Sequence, residues 1–167
     1  MLITSRTVAI AAVLVAASPW QPTSARSSGD APTGHRAERA DTIWDGVYTA
    51  EQARRGQAIF NNECSYCHRD DLTGGFFDNG IGRAPALAGP GAFGSSLTDR
   101  WKDLAVGDMV ADIASTMPQQ KPASLTLQGY VDVVSYLFSE NGLPAGTTEL
   151  PTDIDTLGTL LIVPKPK

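Results

Sequence analysis

The tightest constraint on this chain is the run Cys64-Ser65-Tyr66-Cys67-His68, which contains its only two cysteines. The thiols lie three positions apart and an imidazole follows directly. No third sulfhydryl exists to pair with either of them. Exported chains usually spend cysteines on disulfides that staple distant segments, so this pair acts locally.

Two thiols at this spacing, at the end of a helix, suit addition to the two vinyl groups of one porphyrin. The next residue then lies beneath the ring centre, where an imidazole binds iron. Cys-x-x-Cys-His is the c-type haem attachment pattern, and a histidine is a standard iron ligand. Three other readings compete. A zinc site needs four ligands, and the only remaining His or Cys is His35, in a segment without periodicity. A thioredoxin-type pair sits in a βαβ context, which is missing around Cys64. A free dithiol does not persist unmodified in an oxidising compartment.

The N-terminus reads as an export signal over residues 1–25. Arg6 supplies a positive charge, Val8 to Ala17 is apolar, and Thr23-Ser24-Ala25 offers small residues for cleavage. The apolar run is shorter than the ~20 residues that span a bilayer. The predicted location is periplasmic or secreted. Residues 26–42 read as a flexible linker rich in Ser, Gly, Pro and charge. The net charge of −5 and pI near 4.9 argue against nucleic acid and anionic lipid as partners.

Residues 43–148 read as the ordered domain and 149–167 as a C-terminal extension. Thr49 with Gln52 forms a capping-box pattern, and Ala53, Gly56 and Phe60 recur at helical spacing, predicting a helix over Ala50–Asn62. Residues 70–94, rich in glycine and holding Pro85 and Pro90, read as a long loop wrapped around something. Asp108 is a candidate cap for a short helix carrying Met109, Val110, Ile113 and Ala114. Met117-Pro118 ends that helix. Thr126 opens a last helix with an apolar stripe at Tyr130, Val133, Val134 and Leu137, closed by Asn141-Gly142 and Pro144. The apolar run Leu157 to Val163 is expected to pack as an extended strap over the body.

Iron held by His68 leaves one further position. The candidates are Met109 and Met117, or an open site. Met109 lies on an apolar helix face, where methionine is normally core. Met117 lies at a helix end before a stiffening proline and is favoured. Leu72, Phe76, Phe77, Leu87, Leu104, Ile113, Val134 and Leu137 are candidates for the pocket wall.

Gly56 and Phe60, Cys64 to His68, Ala84-Pro85-Ala86-Leu87-Ala88-Gly89, Met117-Pro118 and Tyr136-Leu137 occur in the order that resembles the small class I c-type cytochromes. Asp45-Gly46-Val47-Tyr48, Trp101 and Asn141-Gly142 with Pro144-Ala145-Gly146 look like the cytochrome domains that accompany quinoprotein (PQQ-type) alcohol dehydrogenases. The resemblance spans roughly residues 44–145. It implies an all-α fold of about three to five short helices around one covalent haem c. It further implies that Gly56 and Phe60 cross the last helix at Tyr136. By the same resemblance the Pro85 carbonyl meets the His68 Nδ1–H, and Arg100 and Trp101 lie near the haem propionates, with Arg83 an equal candidate. The implied function is electron transfer by a carrier, not an enzyme. Its partners would be a periplasmic dehydrogenase such as a quinoprotein, and a terminal oxidase or another cytochrome. A haem-based gas-binding or sensing module with a labile sixth ligand is the alternative. A peroxidase lacks its distal acid–base residue, since no histidine is available for that role.

Overall fold

The computed structural model describes residues 41–89 and 94–167. The readings of a signal, of all but the last two linker residues, and of Pro90 lie outside the described residues. All the described residues belong to one compact unit.

Two 14-residue helices form the frame, α1 (Ala50–Glu63) and α5 (Leu127–Glu140). Each begins on a threonine whose hydroxyl accepts a backbone N–H, Thr49 from Gln52 and Thr126 from Gly129, so orphan donors of the first turn are satisfied. The helices cross at Gly56. A Cβ there would sit 1.9 Å from the Asp132 carbonyl oxygen, so only glycine allows this approach. One turn on, the Phe60 and Tyr136 rings meet with centroids 5.4 Å apart, as the resemblance implied. Arg55 of α1 braces the crossing. It donates to buried Asp132 on α5 and, at 2.8 and 2.9 Å, to Glu149 beyond it.

The helix α4 (Val106–Thr116) begins two residues before Asp108. Asp108 does not cap it from the front. Instead its carboxylate lies inside the first turn and accepts the Ala105 N–H at 2.9 Å. The cap pattern at α1 is likewise only half used. The Gln52 side chain turns away from Thr49 and clasps the backbone of Leu150, donating to its carbonyl at 2.9 Å and accepting its N–H at 2.7 Å.

Past Leu150 the chain is not extended throughout. Asp153 caps a one-turn helix, α6 (Ile154–Leu157). Leu161 then bridges both Thr42 and Ala105, and Leu157, Leu160 and Ile162 are buried in the core. Trp44 Nε1 donates to the Val163 carbonyl at 2.9 Å. The tail therefore covers its own core, with Asp41 and Thr42 of the predicted linker paired to it.

The fold is mostly helical but not all-α. Within the glycine-rich segment, β1 (Gly75–Phe77) and β2 (Gly82–Ala84) form an antiparallel hairpin, with Phe76 opposite Arg83. Its turn runs through Asp78, Asn79 and Gly80 at φ 51°, 53° and 93°. Asp, Asn and Gly are the residues that occupy this left-handed region. The Asp-Asn-Gly triplet after two aromatics was a hairpin signal, masked by the density of Gly and Pro around it.

Candidate functional site

The helix α1 breaks at Cys64, whose φ/ψ of −124°/−32° leaves the helical register. A separate turn follows, α2 (Ser65–His68). The Cys64 carbonyl accepts the N–H groups of Cys67 and His68 at 3.2 and 3.0 Å. On such a turn positions i, i+3 and i+4 share one face, which puts Cys64, Cys67 and His68 together. Arg69 stops the turn at φ 66°.

These three residues line a cleft of about 1200 Å³, part of it open to solvent. Its remaining surface comes from Phe60 and Glu63 on α1, from Phe77, Arg83, Ala84, Pro85 and Leu87, and from Arg100 and Trp101 at the end of α3 (Leu97–Arg100). Asp112, Ile113 and Thr116 on α4, the segment Met117 to Gln120, and Val133 and Leu137 on α5 complete it. The sequence candidates Cys64, Cys67, His68, Pro85, Arg100, Trp101 and Met117 thus all border one space. Met109 does not; it is fully buried in the core.

Four of the candidate wall residues face the cleft: Phe77, Leu87, Ile113 and Leu137. The others do not. Leu72 and Val134 are core, while Phe76 and Leu104 are exposed. The whole α5 stripe is buried, but its wall residue beside Leu137 is Val133 and not Val134. Phe60 was read as crossing residue only, and it also lines the cleft. Polar rim residues Glu63, Asp112, Gln119 and Gln120 carried no sequence signal, because nothing in their spacing marks a shared surface.

His68 is buried, and its Nδ1 lies 3.0 Å from the Pro85 carbonyl oxygen. A carbonyl only accepts, so Nδ1 carries the proton. Burial lowers the ring's pKa, against the smaller opposing effect of that bond. The ring is therefore neutral, with its lone pair on Nε2, as a metal ligand requires. The peptide links around it are short: Gly74 N–H donates to the His68 carbonyl at 2.9 Å and Leu87 N–H to Leu72 at 2.8 Å.

Burial, then the Glu63 charge, pushes the Cys64 thiol up to about 11, and burial also raises Cys67. Redox-active and nucleophilic cysteines need the opposite shift, so a thioredoxin-type dithiol does not fit. Among the described residues no group of three or more His, Cys, Asp or Glu is arranged to hold a metal ion. A donor set of two thiols and one neutral imidazole, with a thioether on the same apolar cleft, fits a covalently attached haem. Arg100 stacks on Trp101 at 4.9 Å, and Arg83 on Phe76 at 5.8 Å, so both guanidiniums on the rim are held by an aromatic face.

The family model described as cytochrome c oxidase, cbb3-type, subunit III matches residues 51–137, just over half of the chain. The chain belongs to this family: it is a class I c-type cytochrome domain. Such domains bind covalent haem c and carry electrons through it. No curated protein and no solved structure matches the chain. Among the described residues no helix is long and apolar enough to cross a membrane.

Proposed function

We propose that this chain is an exported single-haem electron carrier whose haem is bonded through Cys64 and Cys67 and ligated by His68 and Met117. The observation that carries the proposal is the convergence of all four side chains on one cleft. When bound, the haem iron supplies a one-electron Fe(II)/Fe(III) couple, and His/Met ligation raises its potential relative to bis-His. His68 offers Nε2 in a fixed orientation because Pro85 holds the opposite nitrogen. Phe60, Ile113, Val133 and Leu137 keep water from the buried part of the cleft. Arg100 and Arg83, stiffened by their aromatic faces, are positioned to donate to carboxylates at its rim, with Trp101 packed beside them.

The similarity to cytochrome domains of quinoprotein alcohol dehydrogenases supports a periplasmic dehydrogenase as electron donor and an oxidase or another cytochrome as acceptor. Contacts with such partners are small and transient.

The protein should be purified from a host that matures c-type cytochromes, then denatured in acid and extracted with organic solvent. Retained red colour and an intact mass carrying one macrocycle are expected. Colour lost to the solvent from the wild type rejects covalent attachment. Met117→Ala should abolish the weak far-red band of methionine-ligated ferric haem and open the site to carbon monoxide in the reduced form. Rapid carbon monoxide binding by the untreated wild type would instead favour the gas-binding reading.

A further inference from the structure

The Met117 segment is anchored differently from the rest of the cleft. Its N–H closes the last turn of α4 on the Ile113 carbonyl at 2.8 Å. Its carbonyl has left the helical path, since Met117 has φ −128° and ψ 151°. That carbonyl is met from α5 by the hydroxyl of Tyr130, which donates to it at 2.9 Å. Tyr130 is itself buried, 3% exposed, and stands in the first turn of α5. The same hydroxyl lies 3.5 Å from the Leu125 N–H, a long contact on the chain returning from Met117. One phenol thus joins the frame helix to the backbone of the proposed iron ligand.

We infer that Tyr130 is the positioning residue for Met117: its hydroxyl holds the methionine at the cleft and sets how readily the distal position opens. The inference rests on Met117 being the distal ligand. With the segment seated, the Met117 carbonyl is partly buried and needs a donor. With the segment swung out, water supplies one. Removing the hydroxyl therefore penalises the seated state alone and raises the open population. A ligand that binds only the open form gains apparent affinity in proportion to that population.

Tyr48 provides a matched comparison. It is a second buried tyrosine whose hydroxyl donates to a carbonyl, that of Leu143, at 2.8 Å, but Leu143, unlike Met117, does not line the cleft. Tyr130→Phe and Tyr48→Phe each remove one buried tyrosine–carbonyl bond while keeping the ring. The haem-loaded protein and both variants should be titrated with imidazole in the oxidised state, following the far-red band. Tyr130→Phe should weaken the band and bind imidazole about fivefold to tenfold more tightly, the range of one net hydrogen bond. Tyr48→Phe should lose comparable stability to urea and leave both readouts at wild-type values. Equal imidazole affinity in Tyr130→Phe and the wild type, or equal tightening in both variants, overturns the inference. If Tyr130→Phe does not accumulate folded, meta-fluorotyrosine at position 130 keeps the hydroxyl as a stronger donor. Imidazole should then bind more weakly than to the wild type, and unchanged binding overturns the inference. A far-red band that survives in Met117→Ala rejects the ligand assignment itself, which separates the two failures.

Discussion

The segment that carries His68 and the segment that carries Met117 border the same cleft, yet they are held by different means. Around His68 the backbone is knitted to itself, Gly74 to His68 and Leu87 to Leu72, with Pro85 fixing the ring. Around Met117 the backbone bonds stay within its own segment and α4, Met117 to Ile113, Lys121 to Pro118 and Ala123 to Ala114, and the ties to α5 and α1 are side chains. Tyr130 reaches the carbonyl from α5, and Lys121 pairs with Glu63 at 2.6 Å, next to Cys64. Backbone hydrogen bonds in a closed web open together, whereas a phenol and a half-exposed ion pair let go one at a time. The difference teaches that, on the proposed ligation, the His68 side is the more firmly fixed and the Met117 side the more adjustable.

The largest expected effect comes from the floor that both segments share. Gly56→Ala drives a methyl into the Asp132 carbonyl, 1.9 Å away. Alanine's helix preference of about 1 kcal/mol over glycine does not offset backbone overpacking. The net loss should be about 3 kcal/mol or more in urea unfolding. A loss under about 1 kcal/mol would mean the crossing yields, and the frame could not hold either segment.

Next comes the His68 side. Gly74 has φ 63°, and a Cβ there would lie 2.4 Å from the Pro85 carbonyl oxygen. Gly74→Ala should cost about 2 kcal/mol and also disturb the His68–Pro85 bond, seen as a shifted reduction potential. A potential equal to the wild type would break the claim that this web orients the imidazole.

On the Met117 side, Glu63→Gln should cost at most about 0.5 kcal/mol, because the Lys121 partner is largely exposed. That small loss should vanish near 1 M salt. A salt-independent loss would show that Glu63 works by packing and not by charge.

The smallest effect is electrostatic and local. Hydrogen bonds from the Thr73 hydroxyl and N–H hold the Asp71 carboxyl below its ordinary value. A depressed carboxylate stabilises the fold above its unfolded pKa of about 3.9 and loses that contribution as pH falls through the folded value. The Thr73 amide resonance should therefore titrate below about pH 3.9 while the Leu87 amide stays fixed. A midpoint above that value would contradict the assigned cause.

Much of this was readable beforehand where a local rule and the tertiary environment agree. The caps at Thr49 and Thr126, the stop at Met117-Pro118 and the gathering of Cys64, Cys67 and His68 all follow from short-range chemistry. Misreadings arose where distant groups intervened. Gln52 obeyed Leu150 rather than Thr49. The α5 stripe predicted a buried face but not which residue of it met the cleft, since helical periodicity cannot tell Val133 from Val134. The hairpin escaped because glycine density signals freedom from regular structure, while its turn used that freedom to make some. Tyr130 looked like any other member of an apolar stripe. Only its hydroxyl's reach, thirteen residues back along the chain to Met117, distinguishes it.

The grip of Gln52 on Leu150 has a consequence for anyone trimming this polypeptide. A carboxamide that impersonates a neighbouring strand leaves two polar atoms in a dry interior once its counterpart is cut away, at about 1–3 kcal/mol apiece. A version shortened ahead of Leu150 would keep every residue that touches the cleft, and would still be expected to come apart like a vault without its keystone.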